Sequence, residues 1–353
     1  MHATTLTRDP PVVHTEDRPA RAVPPARRPR LGFLGVGWIG RHRLQAIADA
    51  DAADITVLCD AAPEGVAQAQ ALAPRADVAG SFEALLDTEI DGLVIATPSA
   101  LHAAQAEAAL NRGLAVFCQK PLARDAEETR RVLRAAERAD RLLGIDLSYR
   151  HTEAMRQIRS LVAGGQIGQV YAVDLVFHNA YGPDKPWFRD VQRSGGGCVI
   201  DLGIHLVDLA LWTLGFPAVH AVSSRLYAQG VPLGPRPAVV EDYAVAQFEL
   251  AGGTTVRLAC SWNLPVGRDA VIEAAFHGTR GGAALRNVKG SFYDFHAERF
   301  DGTRSSVLAA PPDDWGGRAA VQWARQLAHG VGYDPEVAHA LQVAEVLDAI
   351  YGR

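Results

Sequence analysis

The sequence predicts an α/β protein with an N-terminal parallel-sheet domain and a C-terminal α+β domain whose large open sheet is mostly antiparallel. Two observations predict this fold class. From Leu31 to about Leu147, short apolar runs alternate with Ala-rich amphipathic segments, the pattern of parallel strands joined by helices. From Gly168 onward, runs of alternating polarity follow one another through turn-like connections, which favours antiparallel pairing.

The first domain is predicted to contain five strands and a short sixth near Val78, separated by amphipathic helices. The strands are expected at Leu31–Leu34, Ile55–Cys59, Gly92–Ala96, Ala115–Cys118 and Leu142–Asp146. The helices are expected at Arg41–Ala50, Ala62–Leu72, Leu101–Arg112 and Ala126–Ala139.

The second domain is predicted to contain six strands, one helix among them and two helices at the end of the chain. The strands are expected at Val170–His178, Ala221–Leu226, Tyr243–Leu250, Thr254–Trp262, Val271–Phe276 and Ser291–Phe295. The helices are expected at Gly203–Leu214, Arg318–Ala328 and Pro335–Tyr351. We therefore divide the chain into a disordered arm (1–30), a first domain (31–150) and a second domain (151–353) whose last helices can pack back on the first.

A glycine loop follows the first strand. Gly35, Gly37 and Gly40 have the spacing G-x-G-x-x-G between a strand and a helix, and Asp60 ends the second strand about 20 residues later. This context predicts a Rossmann domain that binds a dinucleotide, with the helix N-terminus facing the pyrophosphate and Asp60 facing the ribose diol. Asp60 would repel a 2′-phosphate, so we expect NAD rather than NADP. Arg41 and Arg43 are the residues that would oppose this preference if they reached that phosphate.

Composition narrows the class of protein. The 353 residues are 48% apolar and carry a net charge of −5, without a basic run in the folded part, so we expect no nucleic-acid partner. We find no apolar stretch long enough to span a bilayer, and expect no membrane partner.

The four cysteines are far apart, which fits a reducing cytoplasm, and no metal site is expected. Arg27-Arg28 resembles an export signal, but the glycine loop follows it directly, where an apolar signal region would be needed.

Candidate site residues follow the predicted parallel strands, because ligands bind at the carboxyl ends of such strands. Thr97-Pro98, with His102 in the next helix, either walls the nicotinamide pocket or forms an ordinary strand-to-helix turn. Gln119 and Lys120 end the next strand, above the cofactor crevice. Lys120 is one of only three lysines in an Arg-rich chain, which favours a functional role over a surface one.

Outside the first domain, the candidate functional residues are most concentrated in the segment from Gly195 to Asp208. Three glycines stand at the start of an apolar helix and let its backbone approach a neighbouring group closely. Asp201 and His205 are four residues apart and share a helical face, on which Asp208 nearly falls. The alternatives are an N-cap aspartate with a core histidine, or a metal site with Cys198, which lacks a second local ligand.

Two further groups are expected near the cleft. Tyr149 and Arg150 follow the last parallel strand and begin the crossing to the second domain. Trp187 lies in a polar loop with Tyr181, Asp184 and Lys185, a composition that suits stacking on a sugar ring or a subunit contact.

Together these motifs resemble the glucose–fructose oxidoreductase and inositol dehydrogenase (Gfo/Idh/MocA) family. The glycine loop, Thr97-Pro98, Lys120-Pro121 and the Gly-Gly-Gly…Asp-x-Gly-x-His run occur in the family's order, from Leu31 to the C-terminus. The resemblance implies a nicotinamide-dependent oxidoreductase acting on a secondary alcohol of a sugar, a cyclitol such as inositol, or a related polyol. It also implies a homodimer or homotetramer formed through the open sheet. One departure is Gln119, where the family usually has Glu.

The resemblance also implies roles for individual residues. By position, Lys120, Asp201 and His205 match the family's catalytic residues. Tyr149, Arg150 and Trp187, placed near the cleft by the sequence pattern and not by the resemblance, are expected as further substrate contacts. The expected cofactor contacts are Gly35, Gly37, Trp38, Ile39, Gly40, Asp60, Thr97, Pro98, His102, Gln119 and Lys120. A keto-sugar reductase, an NAD-dependent glycosidase and a non-catalytic NAD- or sugar-binding regulator stay open as alternatives.

Overall fold

A computed structural model describes residues 28–234 and 238–353. The expected arm, residues 1–30, lies outside the described residues except for its last three. Arg28 forms ion pairs with Asp51 and Asp54, and the first strand begins at Arg30. The chain forms two sheets, as the sequence predicts.

The first sheet is parallel and has six strands in the order β3-β2-β1-β4-β5-β6. Its order reverses between β1 and β4, and such a switch point opens a crevice at the carboxyl ends of the strands. The strands are β1 (Arg30–Leu34), β2 (Asp54–Cys59), β3 (Asp77–Val78), β4 (Gly92–Ile95), β5 (Ala115–Cys118) and β6 (Leu143–Ile145).

Helices cover both faces of this sheet. Two of them begin at a side-chain cap: Ser81 accepts from Ala84 N at 3.1 Å, and Asp125 accepts from Glu128 N at 2.7 Å. The helices are α1 (Trp38–Asp49), α2 (Pro63–Leu72), α3 (Phe82–Leu86), α4 (Ser99–Asn111) and α5 (Ala126–Ala139). The short α3 is absent from the sequence prediction.

The second sheet has nine strands, which are antiparallel except where β7 and β11 pair in parallel. They are β7 (Val170–Asn179), β8 (Val219–Ala228), β9 (Val231–Leu233), β10 (Tyr243–Leu250), β11 (Thr254–Ser261), β12 (Ala270–Gly278), β13 (Gly281–Asn287), β14 (Phe295–Asp301) and β15 (Arg304–Ala309). The order across the sheet is β15-β14-β13-β12-β7-β11-β10-β8-β9.

One strand prediction was wrong. The segment Ser291–Phe295 is mostly a turn: the hydroxyl of Ser291 accepts from the backbone N–H groups of Tyr293 and Asp294, and β14 begins only at Phe295. A Ser hydroxyl that binds the backbone in this way competes with strand pairing. Strands β9, β13 and β15 are also absent from the sequence prediction, and β13 is built largely from Gly and Ala, residues of low strand propensity.

The helices of the second half are α6 (Glu153–Ala163), α7 (Val191–Ser194), α8 (Ile204–Thr213), α9 (Arg318–Ala328) and α10 (His339–Tyr351). Neither α6, which begins at a Thr152 cap, nor the single turn α7 was anticipated. A turn of π-helix, Val199–Gly203, precedes α8, where an α-helix starting at Gly203 was expected. Helix α9 packs on the parallel sheet, with Trp323 buried beside Phe117.

One helical stretch of the described chain, Val191–Thr213, is long and apolar enough to pass a length-and-composition test for a membrane span. The expectation that no such stretch exists was therefore wrong. The segment is 23 residues long, and 94% of its most apolar window is buried inside the protein. A core helix passes the same test, so the result is weak evidence for a membrane.

Candidate active site

A cavity of about 730 Å³ lies at the carboxyl edge of the parallel sheet, where loops of the second domain close over it. It brings together residues from distant parts of the chain. The sequence-predicted residues that line it are Gly37, Trp38, Ile39, Thr97, Pro98, His102, Gln119, Lys120, Tyr149, Trp187, Asp201 and His205.

The glycine loop forms the wall of this cavity at the start of α1. Gly35 has a φ of +85°, and a Cβ there would lie 2.6 Å from the backbone carbonyl of Ala96. A Cβ at Gly40 would collide with the carbonyl oxygen of Gly35, whereas Gly37 has no heavy atom within 4 Å of that position. No side chain caps α1 at Gly37, so its first backbone N–H groups can bind an anion.

Asp60 lies behind this loop, outside the residues that line the cavity. Its Oδ2 accepts from Val36 N at 2.6 Å, and its Oδ1 accepts from Ala62 N at 2.8 Å. Each carboxylate oxygen can accept a second hydrogen bond, so a ribose diol can still be held there.

Both arginines near the loop, which could in principle bind a 2′-phosphate, form hydrogen bonds within the protein. Arg41 donates from Nη1 to the carbonyl oxygen of Val36 at 2.8 Å. Arg43 is buried, and its Nε donates to Oδ2 of Asp146 at 2.5 Å. The arrangement favours NAD over NADP.

His102 connects the ends of two strands. Its Nε2 lies 2.7 Å from the carbonyl oxygen of Thr97, and its Nδ1 lies 2.7 Å from that of Pro121. Burial lowers the pKa of His102, while the two carbonyl contacts act against that shift. Because both ring nitrogens face backbone, His102 supports the cavity wall.

Lys120 and Asp201 form the central contact of the cavity. The Lys120 ammonium donates to Oδ1 of Asp201 at 2.8 Å and to the Asp201 backbone carbonyl at 2.7 Å. The other carboxylate oxygen, Oδ2, accepts from the indole N–H of Trp262 at 3.1 Å. Both oxygens of Asp201 therefore have a donor. Trp262, at the end of β11, is a residue that sequence reasoning missed, because nothing local marks it.

The glycine run before Asp201 packs against the protein's own polar groups. A Cβ on Gly196 would collide with the hydroxyl of Tyr351, and one on Gly197 with the backbone carbonyl of Glu241. The buried Glu241 carboxylate accepts from the backbone N–H of Gly197 at 2.9 Å, from that of Val199 at 2.8 Å and from the Tyr351 hydroxyl at 2.8 Å. Burial raises the pKa of Glu241, against these hydrogen bonds. The close approach predicted from the glycines thus anchors the π-helical turn that carries Asp201.

His205 follows Asp201 on the first turn of α8 and lines the same cavity. Its Nδ1 is buried and has no hydrogen-bond partner in the described parts of the chain. Burial, and then the positive charges of Lys120 and Arg43, hold the pKa of His205 well below its ordinary value. The ring is therefore neutral at neutral pH and can accept a proton.

Aromatic side chains form much of the remaining wall. Tyr149 lies 4.6 Å from the ring of His205 and 5.0 Å from that of Trp315, measured between ring centroids. Trp187 stacks on Phe188 at 3.8 Å. Cavity residues not marked as site candidates in the sequence include His42, Arg43, Asp146, Ser148, Phe292, Tyr293, Asp313, Asp314 and Trp315. His42 and Arg43 lie in α1 and Asp146 and Ser148 follow β6, whereas the other five lie in loops of the second domain.

Arg150 does not line this cavity, contrary to its predicted role in binding substrate. Its Nε donates to Oδ2 of Asp208 at 2.7 Å, and its guanidinium lies 5.9 Å from the ring of Trp212 and 5.4 Å from that of Phe216. Asp208 is buried and occupied by this ion pair. An arginine held by a buried carboxylate between aromatic rings serves packing.

In the described part of the chain, no group of three or more His, Cys, Asp or Glu residues is arranged to hold a metal ion. Cys198 instead packs against Cys260, with the two sulfur atoms 3.8 Å apart.

Comparison with known families gives two matches that together cover more than half of the chain. Residues 30–147 match an oxidoreductase family described as having an NAD-binding Rossmann fold. Residues 155–284 match the GFO/IDH/MocA C-terminal domain.

Similar proteins include sugar-directed enzymes. The chain is 28% identical to D-glucoside 3-dehydrogenase of Escherichia coli, over 72% of this chain and 76% of that one. It is 31% identical to a putative UDP-kanosamine synthase oxidoreductase subunit of Amycolatopsis mediterranei, over 73% and 75%. Levoglucosan dehydrogenase in complex with NADH and levoglucosan superposes with a TM-score of 0.78 over 92% of this chain and 97% of that one, at 23% identity. At that identity the superposition establishes the fold alone.

Proposed function

The chain belongs to the GFO/IDH/MocA family of NAD-binding oxidoreductases, and on that premise we propose that its cavity oxidises a secondary alcohol of a sugar, a cyclitol or a related polyol. The contact between Lys120 and Asp201, beside a neutral buried His205, carries the proposal. It places a cation and a proton acceptor together at the carboxyl ends of the parallel strands, next to the glycine loop.

The residues of the first domain fit NAD. The open space over Gly37 and the uncapped start of α1 suit a pyrophosphate, and Asp60 suits a ribose diol. Thr97, Pro98 and Gln119 would hold the nicotinamide end, because they lie between the loop and Lys120. When bound, NAD supplies the hydride acceptor.

Lys120 is arranged to stabilise a developing alkoxide. An ammonium has three N–H donors, and the carboxylate and backbone carbonyl of Asp201 take two of them. One donor is left for a substrate oxygen.

His205 accepts the proton of the substrate hydroxyl. A histidine that acts as a general base must be unprotonated at the working pH, and burial beside two cations keeps this imidazole neutral. Asp201 accepts hydrogen bonds from Lys120 and from Trp262. Its role is to hold Lys120. The same groups serve the reverse reaction, in which the imidazolium returns the proton to a carbonyl oxygen.

The walls of the cavity suit a polyol. Tyr149, Trp187 and Trp315 provide aromatic surfaces for the C–H faces of a ring, and Ser148, Asp184 and Asp314 provide polar groups for hydroxyls. The sugar-directed activities named for the similar proteins agree with this class. A screen of sugars and cyclitols with NAD, followed by the absorbance of the reduced cofactor, tests the proposal. Turnover of at least one member supports it; no turnover across the set, by protein that binds NAD, contradicts it.

We also propose that the protein is a cytoplasmic homodimer or homotetramer. All four cysteines are free and buried, and the closest pair is unlinked, which agrees with a reducing compartment. The outer face of the second sheet mixes small apolar residues with ion pairs such as Arg257–Asp174 and Arg286–Glu273, and is therefore more polar than the sequence suggested. Such a face suits a self-complementary contact between copies. A monodisperse monomer in light scattering at micromolar concentration would contradict the assembly, and cell fractionation tests the location.

A further inference from the structure

Gln119 and Asp146 lie at the carboxyl ends of two neighbouring strands. The backbone N–H of Gln119 donates to the carbonyl of Ile95 at 2.9 Å, and that of Asp146 donates to the carbonyl of Cys118 at 2.9 Å. Both residues are buried, at 7% and 1% exposure, and both line the cavity. The register of the sheet thus places an amide beside a carboxylate on the cavity floor.

The contact between them fixes which way the amide faces. The Gln119 side chain lies within hydrogen-bond distance of Oδ2 of Asp146, the oxygen that also accepts from Nε of Arg43. A carboxylate only accepts hydrogen bonds, so Gln119 must present its nitrogen, Nε2, to Asp146. Its oxygen, Oε1, is then left as an acceptor, and among the described residues no donor pairs with it.

We propose that Asp146 orients the Gln119 amide so that Oε1 accepts a hydrogen bond from the carboxamide N–H of a bound nicotinamide. This inference rests on the proposed NAD-dependent function. Gln119 directly precedes Lys120, and a nicotinamide that takes a hydride from the substrate must lie beside the hydroxyl that Lys120 meets. The carboxamide carries the only N–H donors of that ring. Asp146 is therefore a positioning residue that acts through Gln119.

The same contact explains why Gln, and not Glu, stands before Lys120 in this chain. A glutamate at 119 would place a second carboxylate against Asp146 in a buried setting. Two carboxyl groups at that distance do not both ionise, because their negative charges repel each other. The carboxylate of this region is supplied by Asp146, from the next strand, and Arg43 balances it.

A cofactor analogue tests the hydrogen bond by binding alone. 3-Acetylpyridine adenine dinucleotide has a methyl ketone where NAD has the carboxamide, and ADP-ribose lacks the ring. We expect the wild-type protein to bind NAD about 3- to 10-fold more tightly than the analogue, the effect of one hydrogen bond. Gln119→Leu should bind the two equally, with unchanged affinity for ADP-ribose. A Gln119→Leu variant that keeps the wild-type preference, or that also loses ADP-ribose, overturns the inference.

A charge exchange tests the part played by Asp146. Gln119→Glu should weaken NAD binding about 10-fold or more, because it creates the carboxylate pair. The double variant Gln119→Glu/Asp146→Asn restores an N–H donor facing a carboxylate, with the direction reversed, and should bind NAD within about 3-fold of wild type. Asp146→Asn completes the cycle. If Gln119→Glu does not fold, thermal melting provides the same comparison, because the double variant should recover the folded state. Purely additive effects overturn the coupling.

These measurements separate this inference from the proposed function. A wild-type protein that binds NAD with the expected preference but oxidises no polyol contradicts the proposed function and leaves the inference standing. A protein that oxidises polyols but binds NAD and the analogue equally overturns the inference alone.

Discussion

Trp262 donates its indole N–H to Oδ2 of Asp201 across 3.1 Å, and so ties the end of β11 to the turn that carries the lysine's partner. Because Oδ1 of Asp201 holds Lys120, the indole sets the direction of the whole carboxylate. The contact joins the antiparallel sheet to the parallel one through a single aspartate.

Trp262→Phe keeps an aromatic side chain, although a smaller one, and removes this donor. We expect kcat to fall about 3- to 10-fold, the effect of one buried hydrogen bond, with an unchanged dissociation constant for NAD. Trp315→Phe is the matched control, because Trp315 lines the cavity but donates to the backbone carbonyl of Tyr293. Steady-state kinetics on both variants checks the prediction. Equal losses of kcat would contradict a specific role for the hydrogen bond from Trp262 to Asp201.

Asp60 should decide between NAD and NADP. Asp60→Ala removes the charge that repels a 2′-phosphate, while Arg41 and Arg43 keep their partners in the protein. We expect wild-type kcat/KM to favour NAD and the ratio to shift toward NADP by about 10-fold or more in the variant. A wild-type preference for NADP would contradict this role of Asp60.

The pH dependence should report a neutral His205. Its folded-state pKa is held well below the ordinary value, so kcat/KM for oxidation should rise with pH at acid pH and level off below about pH 6.5. Removing the Lys120 charge with Lys120→Met removes one cause of that shift, so the acidic limb should move to higher pH. A wild-type limb centred above about pH 6.5 would show that another group is titrating.

Tyr351 should matter for stability, because its hydroxyl serves two buried groups. It donates to Glu241 at 2.8 Å and accepts from Ile200 N at 3.2 Å. Tyr351→Phe leaves both groups short of a partner and should lower the free energy of unfolding by about 1–3 kcal/mol in urea denaturation. Tyr171→Phe is the control: this tyrosine of β7 is 55% exposed, and its substitution should change the free energy of unfolding little. Equal losses of stability in the two variants would contradict a structural role for the Tyr351 hydroxyl.

The sequence predicts the parts of the site that follow strands. Gly37, Thr97 and Lys120 meet because parallel strands end at the same edge, and their motifs mark those ends. Asp201 and His205 were predicted to share a face, and both line the cavity. These placements needed only local pattern and strand order.

The remaining residues depend on contacts between distant segments, which local pattern does not encode. Trp262 follows β11 of the second sheet and contacts Asp201, Asp146 follows β6 of the parallel sheet, and Trp315 lies in a loop of the second domain; none stands in a motif. The glycine run predicted a close approach, but Glu241 and Tyr351, which it meets, are distant in the chain. Arg150 was assigned to the cleft from its position after β6, whereas the buried Asp208 holds it elsewhere.

Lys120 and His205 are expected to act on the chemical step. The variants Lys120→Ala and His205→Ala test this, each measured for kcat with the best substrate and for NAD affinity. We expect kcat to fall by about 100-fold or more in each variant, the usual effect of losing a proton acceptor or a charge that stabilises an alkoxide, while the dissociation constant for NAD stays within about 2-fold. Folded, NAD-binding variants that retain near wild-type kcat would contradict it and would favour a non-catalytic NAD- or sugar-binding regulator.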